Sequence, residues 1–504
     1  NIDFDVGIAG VWTGAPASSS GGALGQAGEW NAAPVAASLT NLTAIDGTRT
    51  GVDLQVTNLA SGYFVDVAAM SGDNDRLFGD GLNSVAGATM SVNLVGTVNG
   101  VYTVATYAAS PNVVDPCNVN NTQSAEGTLS VSGGIGSNGF TEGVTHCIHH
   151  VTSTTNSIQM ATRDPSAGGV AQVGGLQVRF HGGLSRRLYV NASAPAGGDG
   201  SSWATAIKDL NDALITAEWG GQAQEIWVAR GTYKPVNPVN PLDRTATFRL
   251  QNGLAIYGGF AGTEVVLSQR DVAANPSFLS GNIGGRPATD NVYHVVTAEG
   301  VFSSAILDGF VISGGYADGT GFNVGGGAIW INDANPRVRN CVIRDNFALE
   351  GGAVSFFAAS SLARFTNCEF RNNETPTFGG AVYFRGAAGS QVAFGNCKFL
   401  GNTAGGYGGA VYALNGPGWI KFYNTVFSGN ESTNLSGGAI YAFGSQNDTR
   451  LSNCTLSGNR GATGGGIVVN AGATVTIDNS VLWGNTDTDA ATDTFEANMI
   501  AGAG

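Results

Sequence analysis

The feature that most constrains this chain is a repeat that starts at Gly325. Its first landmark is Gly-Gly-Ala with an aliphatic residue: Gly326-Gly327-Ala328-Ile329, Gly351-Gly352-Ala353-Val354, Gly379-Gly380-Ala381-Val382, Gly408-Gly409-Ala410-Val411 and Gly437-Gly438-Ala439-Ile440, with Gly464-Gly465-Gly466-Ile467 as a variant. The second is an apolar residue, two spacers and an Asn: Ile343 with Asn346, Phe370 with Asn373, Phe399 with Asn402, Phe427 with Asn430, Leu456 with Asn459 and Leu482 with Asn485. Ahead of the second landmark runs a further column, Asn340-Cys341, Asn367-Cys368, Asn396-Cys397, Asn424-Thr425, Asn453-Cys454 and Asn479-Ser480. The period of 25 to 29 residues holds no helical pattern and is too short for a propeller blade. Such a unit cannot bury its apolar face alone, so it must stack on its neighbours.

Three short strands joined by turns make one coil of a parallel β-helix, each residue about 4.8 Å above its equivalent one coil earlier. The columns then become ladders. Gly permits positive φ, Asn tolerates the left-handed region and can bond the next Asn, and Cys or Thr fills a small inward slot. The four coil cysteines are expected as buried thiols. Six coils are clear in residues 325–485, and the looser strand-like runs of residues 188–312 add four or five, giving about eleven coils and a shaft of roughly 50 Å. Residues 202–218 read as a helix, with Trp203, Ile207, Leu210 and Leu214 on one face and Ser202 as N-cap, covering the N-terminal end of the core. Nothing comparable follows Asn485, and an uncovered sheet end is normally hidden, so another element is expected there.

Residues 1–183 have a different texture. Short alternating runs such as residues 52–56, 63–67, 101–107 and 158–161 are separated by Gly, Asn, Asp and Ser clusters, and residues 173–180 read as the last strand. The expected fold is all-β: an N-terminal β-sandwich, jelly-roll-like, over residues 1–183, then a right-handed parallel β-helix with an N-terminal capping helix over residues 184–504.

The paired landmarks resemble the polymorphic outer-membrane protein repeat, whose hallmark is Gly-Gly-Ala-(Ile/Leu/Val) with Phe-x-x-Asn. The resemblance covers residues 325–485, about one third of the chain. It implies a right-handed β-helix on a bacterial surface, often adhesive, although the membrane barrel of that family is not seen here. Residues 188–259, with Gly197-Gly198-Asp199-Gly200-Ser201-Ser202-Trp203 and Ile226-Trp227-Val228-Ala229-Arg230-Gly231-Thr232-Tyr233, look like the opening of secreted pectin-lyase-like β-helices.

Composition narrows the partners. With 23 Lys+Arg against 37 Asp+Glu, a net charge of −14 and 12 % charged residues, the sequence offers no basic patch for nucleic acid. No run approaches the roughly 20 apolar residues of a membrane-spanning helix. The chain starts at Asn1 without a signal peptide and reads as an exported protein with its leader removed.

Chemistry is harder to find. Hydrolysis needs carboxylates converging at about 5 to 10 Å, and lyase chemistry an acidic calcium site with a Lys or Arg base. The coil acids Glu350, Glu369, Glu374, Glu431 and Asp448 stand at unrelated positions, and Arg344, Arg371, Arg385, Lys398, Lys421 and Arg450 look equally scattered. No catalytic residue is assigned. His146, Cys147, His149 and His150 are the densest group of metal-ligand types, but a disulfide between Cys147 and Cys117, the only cysteines of the first half, fits an exported chain better than zinc. Two acidic loops are candidates for calcium, Asp73 and Asp75 with Asp80, and Asp487 and Asp489 with Asp493. The residue two after each landmark alanine gives the column Trp330, Ser355, Tyr383, Tyr412, Tyr441 and Val468. Strand alternation points it outward as an exposed aromatic ladder, with Trp330, Tyr383, Tyr412 and Tyr441 as binding residues for glycans or a protein surface. The expected function is a secreted or cell-surface structural or adhesive protein, assembling head-to-tail into a homo-oligomeric filament or layer. The alternative is an extracellular polysaccharide-binding or polysaccharide-cleaving β-helix.

Overall fold

The computed structural model describes residues 2–3, 31–32, 38–39, 53–57, 59–64, 80–84, 86–107, 117–132, 142–166, 171–173, 175–235, 237, 240–284, 288–357, 361–385, 389–414, 416, 418–488 and 500–502. The chain divides into two compact units. One holds Asn1–Leu184 with Glu218–Gln222 and Pro238–Asn240, and the other holds the rest.

The first unit is built of short, mainly antiparallel strands. Gly100–Tyr107 lies between His146–Ser153 and Gly175–Gly182 in a five-stranded sheet, and Met90–Val95 pairs with Ser157–Arg163 and Asp53–Thr57 in a six-stranded sheet. Inward residues of both, among them Leu54, Val92, Val104, Val119, Val151 and Met160, form one core, as in a sandwich. The last strand, predicted over residues 173–180, runs Gly175–Gly182 and so continues through His181.

Among the described residues the second unit is a parallel β-helix whose longest wall has ten strands, about 43 Å long by strand spacing. Four walls, not three, make each regular coil. The first wall has ten strands, from Arg187–Val190 to Thr474–Asp478; the second has nine, from Gly231–Tyr233 to Val481–Trp483. The third has seven two-residue strands, from Tyr316–Ala317 to Thr486–Asp487, and the fourth has nine, from Phe248–Arg249 to Ile500–Gly502. The third wall is too short to leave a sequence period, so it passes for a turn.

The landmarks now have separate jobs. The first Gly of each Gly-Gly-Ala is left-handed, with φ of 72° at Gly326 and 68° at Gly379. The second lies against the following coil, where a Cβ on Gly380 would strike the Gly409 carbonyl. The corner column combines left-handed backbone with Asn-to-Asn bonding, as expected, with Asn367 Nδ2 donating to Asn340 Oδ1 and Asn424 Nδ2 to Asn396 Oδ1, each at 3.2 Å, and a second Asn column forms a buried ladder. Asn340, Asn367, Asn396, Asn424, Asn453 and Asn479 are left-handed at φ of 48° to 55° and turn the chain from the first wall into the second. The Asn of the second landmark is buried: Asn373 Nδ2 donates to Asn402 Oδ1 at 3.0 Å and to the Ile343 carbonyl at 2.9 Å, and the pattern continues through Asn430, Asn459 and Asn485. Asn373 and Asn430, which sit in glycosylation sequons, are wholly enclosed by this ladder. Cys341, Cys368, Cys397 and Cys454 are buried thiols.

The capping helix is shorter than predicted, Leu210–Gly220, and Asp209 rather than Ser202 caps it by accepting the Asn211 N–H at 2.8 Å. Residues 200–207 are drawn onto the open edge of the first wall, where the Ile207 N–H bonds the Tyr189 carbonyl at 2.9 Å. Leu210, Ala213, Leu214 and Ala217 then close the core over Leu188 and Ile226.

Candidate functional site

The predicted aromatic column exists. Trp330, Ser355, Tyr383, Tyr412, Tyr441 and Val468 are consecutive partners on the fourth wall and point away from the helix core. Tyr383 stacks on Tyr412 at 5.7 Å and Tyr412 on Tyr441 at 5.5 Å, the planes within 7°. The expected exposure is corrected, because the four aromatic members are only 4 to 8 % exposed. A second row, Phe378, Tyr407, Leu414 and Phe443, packs over them. Burial pushes the Tyr383 phenol up to about 12, with the Glu350 carboxylate adding to the effect.

The first wall carries an arrangement that the sequence order conceals. Val338, Phe365, Phe394, Phe422 and Leu451 are its inward residues, so their strand neighbours face out. Register aligns Arg337, Arg364, Ala393, Lys421 and Arg450 in one outward column and Arg339, Thr366, Gly395, Tyr423 and Ser452 in the next. Of the ten Lys and Arg after residue 334, eight stand on the outer faces of the first and second walls, so the scattered appearance of the bases is corrected. On the second wall the charges are largely answered: Arg344 pairs with Asp345 at 2.5 Å and Arg371 with Glu369 at 3.3 Å. On the first wall Arg450 pairs with Asp448, but Arg337, Arg339 and Lys421 have no ion-pair partner among the described residues. Arg364 donates to the Gln391 carbonyl at 2.8 Å and faces the Trp419 ring at 5.8 Å.

Amid these cations, Gly395 sits directly beneath Tyr423, and a Cβ there would collide with the phenol ring. The ring therefore lies flat along the wall, one face on the backbone and the other turned out. Trp419 and Tyr423 are both partly exposed. Toward the start of the wall, Arg187 binds Glu225 at 2.9 Å and caps the Trp227 ring at 3.9 Å, and Arg270 binds Asp308 at 2.7 Å in a nearly closed ion pair.

The remaining predicted sites come out differently. His146 and His150 share one face of their strand, Cys147 and His149 the other, by alternation. His150 Nδ1 meets Glu126 Oε1 at 2.8 Å and His149 Nε2 meets the Gly127 carbonyl at 3.1 Å. The expected Cys117–Cys147 disulfide is corrected: both are buried reduced thiols, and burial, with Cys117 nearby, pushes the Cys147 thiol up. Of the calcium candidates, Asp73, Asp75, Asp489 and Asp493 lie outside the described residues, Asp80 opens the strand Asp80–Ser84, and Asp487 ends Thr486–Asp487. Among the described residues, no three His, Cys, Asp or Glu gather closely enough to hold a metal ion.

The family model for the right handed beta helix region matches residues 289–427 and 380–501, so the repeat region is a right-handed parallel β-helix. No curated protein matches the chain. Among solved structures, it is similar to pectate lyase Pel9A at 14 % identity, covering 62 % of this chain and 82 % of that one, with a TM-score of 0.37. It is also similar to a GH87 alpha-1,3-glucanase catalytic domain (11 %, 90 % and 96 %, TM-score 0.28) and to the tailspike protein gp49 from Pseudomonas phage LKA1 (9 %, 79 % and 62 %, TM-score 0.20). No helix among the described residues is long and apolar enough to cross a membrane.

Proposed function

We propose that this chain binds a linear anionic polysaccharide along the outer face of its first wall. The observation that carries the reading is the flat Tyr423 ring over Gly395, set among Arg364, Lys421 and Trp419. A flat ring offers its face to the C–H side of a sugar, and unpaired cations attract carboxylate or sulfate groups. The shaft supplies these groups at one-coil intervals on a rigid sheet, so little ordering is needed on binding. A binding role is favoured over cleavage because three of the four carboxylates of this wall, Glu225, Asp308 and Asp448, are taken up by Arg187, Arg270 and Arg450, leaving Asp478 at the last strand without a second free carboxylate on the wall.

Extracellular placement belongs to the same proposal. It is supported by the resemblance of the landmarks to the polymorphic outer-membrane protein repeat, and surface attachment would make glycan binding adhesive. Calorimetry with polygalacturonate tests the reading: saturable binding, weakened by salt and by Tyr423→Ala, is expected, and binding that ignores both overturns it. Light scattering without glycan tests the self-assembling reading, which requires particle mass to rise with protein concentration.

A further inference from the structure

A third column runs along the outer face of the first wall, at the start of its strands. Gln391, Trp419 and Asp448 are register partners in it. Backbone bonds carry it toward the beginning of the shaft. The Gln391 N–H bonds the Ser361 carbonyl at 2.7 Å, which sets Gln391 beside Leu362, and the Asn335 N–H bonds the Val301 carbonyl at 2.6 Å, which sets Asn335 beside Phe302. Asn335 Oδ1 accepts the Leu362 N–H at 2.6 Å and joins the two pairs. The column therefore reads Phe302, Asn335, Leu362, Gln391 and Trp419, one residue per coil.

Its members alternate in character. Phe302, Leu362 and Trp419 are apolar and recur every second coil, about 9.6 Å apart. Phe302 is 64 % exposed and Leu362 40 %, and Trp419 is partly exposed. The coils between them carry the amides Asn335 and Gln391. The guanidinium groups keep the same beat. Arg337 and Arg339 stand on the strand that follows Asn335. Arg364 is rooted in the Leu362 coil but donates to the Gln391 carbonyl at 2.8 Å, so its charge lies with the Gln391 coil. Lys421 stands on the Trp419 coil, and its flexible stem is long enough to lean back toward Gln391. Apolar and cationic coils thus take turns until Asp448 and Arg450 pair with each other.

We propose that the polysaccharide bound on this wall is an alternating copolymer of a sugar acid and an N-acetylated amino sugar. The inference rests on the binding role proposed above and adds the repeat of the ligand. Two pyranoses in an extended chain cover about the length of two coils, so one kind of sugar meets one kind of coil throughout. The acetylated sugars lie on Phe302, Leu362 and Trp419. Leu362 has no ring to stack on a sugar face, and a methyl group is the apolar contact it fits. The carboxylates fall on the Asn335 and Gln391 coils, where amide and guanidinium N–H groups donate to them. A polymer of sugar acids alone sets every second carboxylate against an apolar side chain, which costs desolvation without a partner.

The test uses the intact chain, calorimetry and three oligosaccharides of equal length: hyaluronan, which alternates glucuronate with N-acetylglucosamine, oligogalacturonate, and chitin fragments. Hyaluronan is expected to bind about tenfold more tightly than either of the others. The double variant Phe302→Ser, Leu362→Ser should weaken hyaluronan about tenfold and change oligogalacturonate less than about twofold. Both side chains are exposed, so its thermal midpoint should match that of the wild type. Oligogalacturonate binding as tightly as hyaluronan, or a double variant that keeps the preference, overturns the alternating repeat and leaves the anionic-polysaccharide reading standing. Failure of the folded chain to bind hyaluronan and oligogalacturonate overturns both.

Discussion

Tyr423 lies flat on Gly395, its register partner one coil earlier, because only a residue without a side chain leaves room for the ring. The platform is thus a property of two positions, and the smaller one can be tested without touching the aromatic. Gly395→Ala is expected to lift the ring, leave the far-ultraviolet spectrum unchanged and cut polygalacturonate affinity about as much as Tyr423→Ala. The collision is with a side chain, which can move, so the fold should tolerate it.

The unpaired cations should reveal themselves through salt. Replacing Arg337 and Lys421 by Ala is expected to lower affinity at low ionic strength and flatten its salt dependence, since exposed charges are screened within about 8 to 10 Å. Replacing Arg450, already paired with Asp448, should change both less.

How far this site is readable in the sequence depends on register. The coil, the two landmarks and the inward slots stand in plain order, because they recur at near-constant spacing. The basic wall does not. Arg364 and Lys421 are separated by 57 positions and by loops of unequal length, yet the register partner of Arg364, Ala393, is also that of Lys421. Only the pairing of strands shows them as neighbours. The aromatic column is legible for the same reason as the core, but its covering row, Phe378 and Tyr407, precedes the landmark and shares its column with Glu350, Ser436 and Thr463. That mixture hides the row, and with it the burial.

The asparagine ladder should be costly to break. Asn402 Oδ1 accepts the N–H and side-chain amide of Asn373, while its own amide serves Phe370 and Asn430. Asn402→Ala strands several buried groups at once and is expected to cost about 3 kcal/mol, measured by urea unfolding.

Acid should weaken the first unit. Burial lowers the pKa of His146 to about 4 from its ordinary 6.5, so the unfolded chain takes up a proton that the folded one refuses. Stability is then complete above pH 6.5 and falls as the pH drops toward about 4, by up to about 3 kcal/mol for this group. His149, lowered by burial as well, acts in the same direction. His146→Gln should flatten that slope in pH-dependent unfolding of the intact chain.

Thiol counting checks the cysteines. All six are buried thiols, so a thiol reagent should find none in the folded chain and six in denaturant. A count of four in denaturant would mean that one pair, Cys117 and Cys147 foremost, oxidises in solution.

The left-handed asparagines at the corner between the first two walls have a further implication for how this protein can change. Each corner repeats the same backbone angles, and each coil touches only the coils directly before and after it. Length is therefore a modular trait: gain or loss of one whole period keeps every corner, ladder and slot aligned, whereas gain or loss of half a period sets walls against corners. Reach can drift between related chains by single duplications, while the cross-section stays fixed.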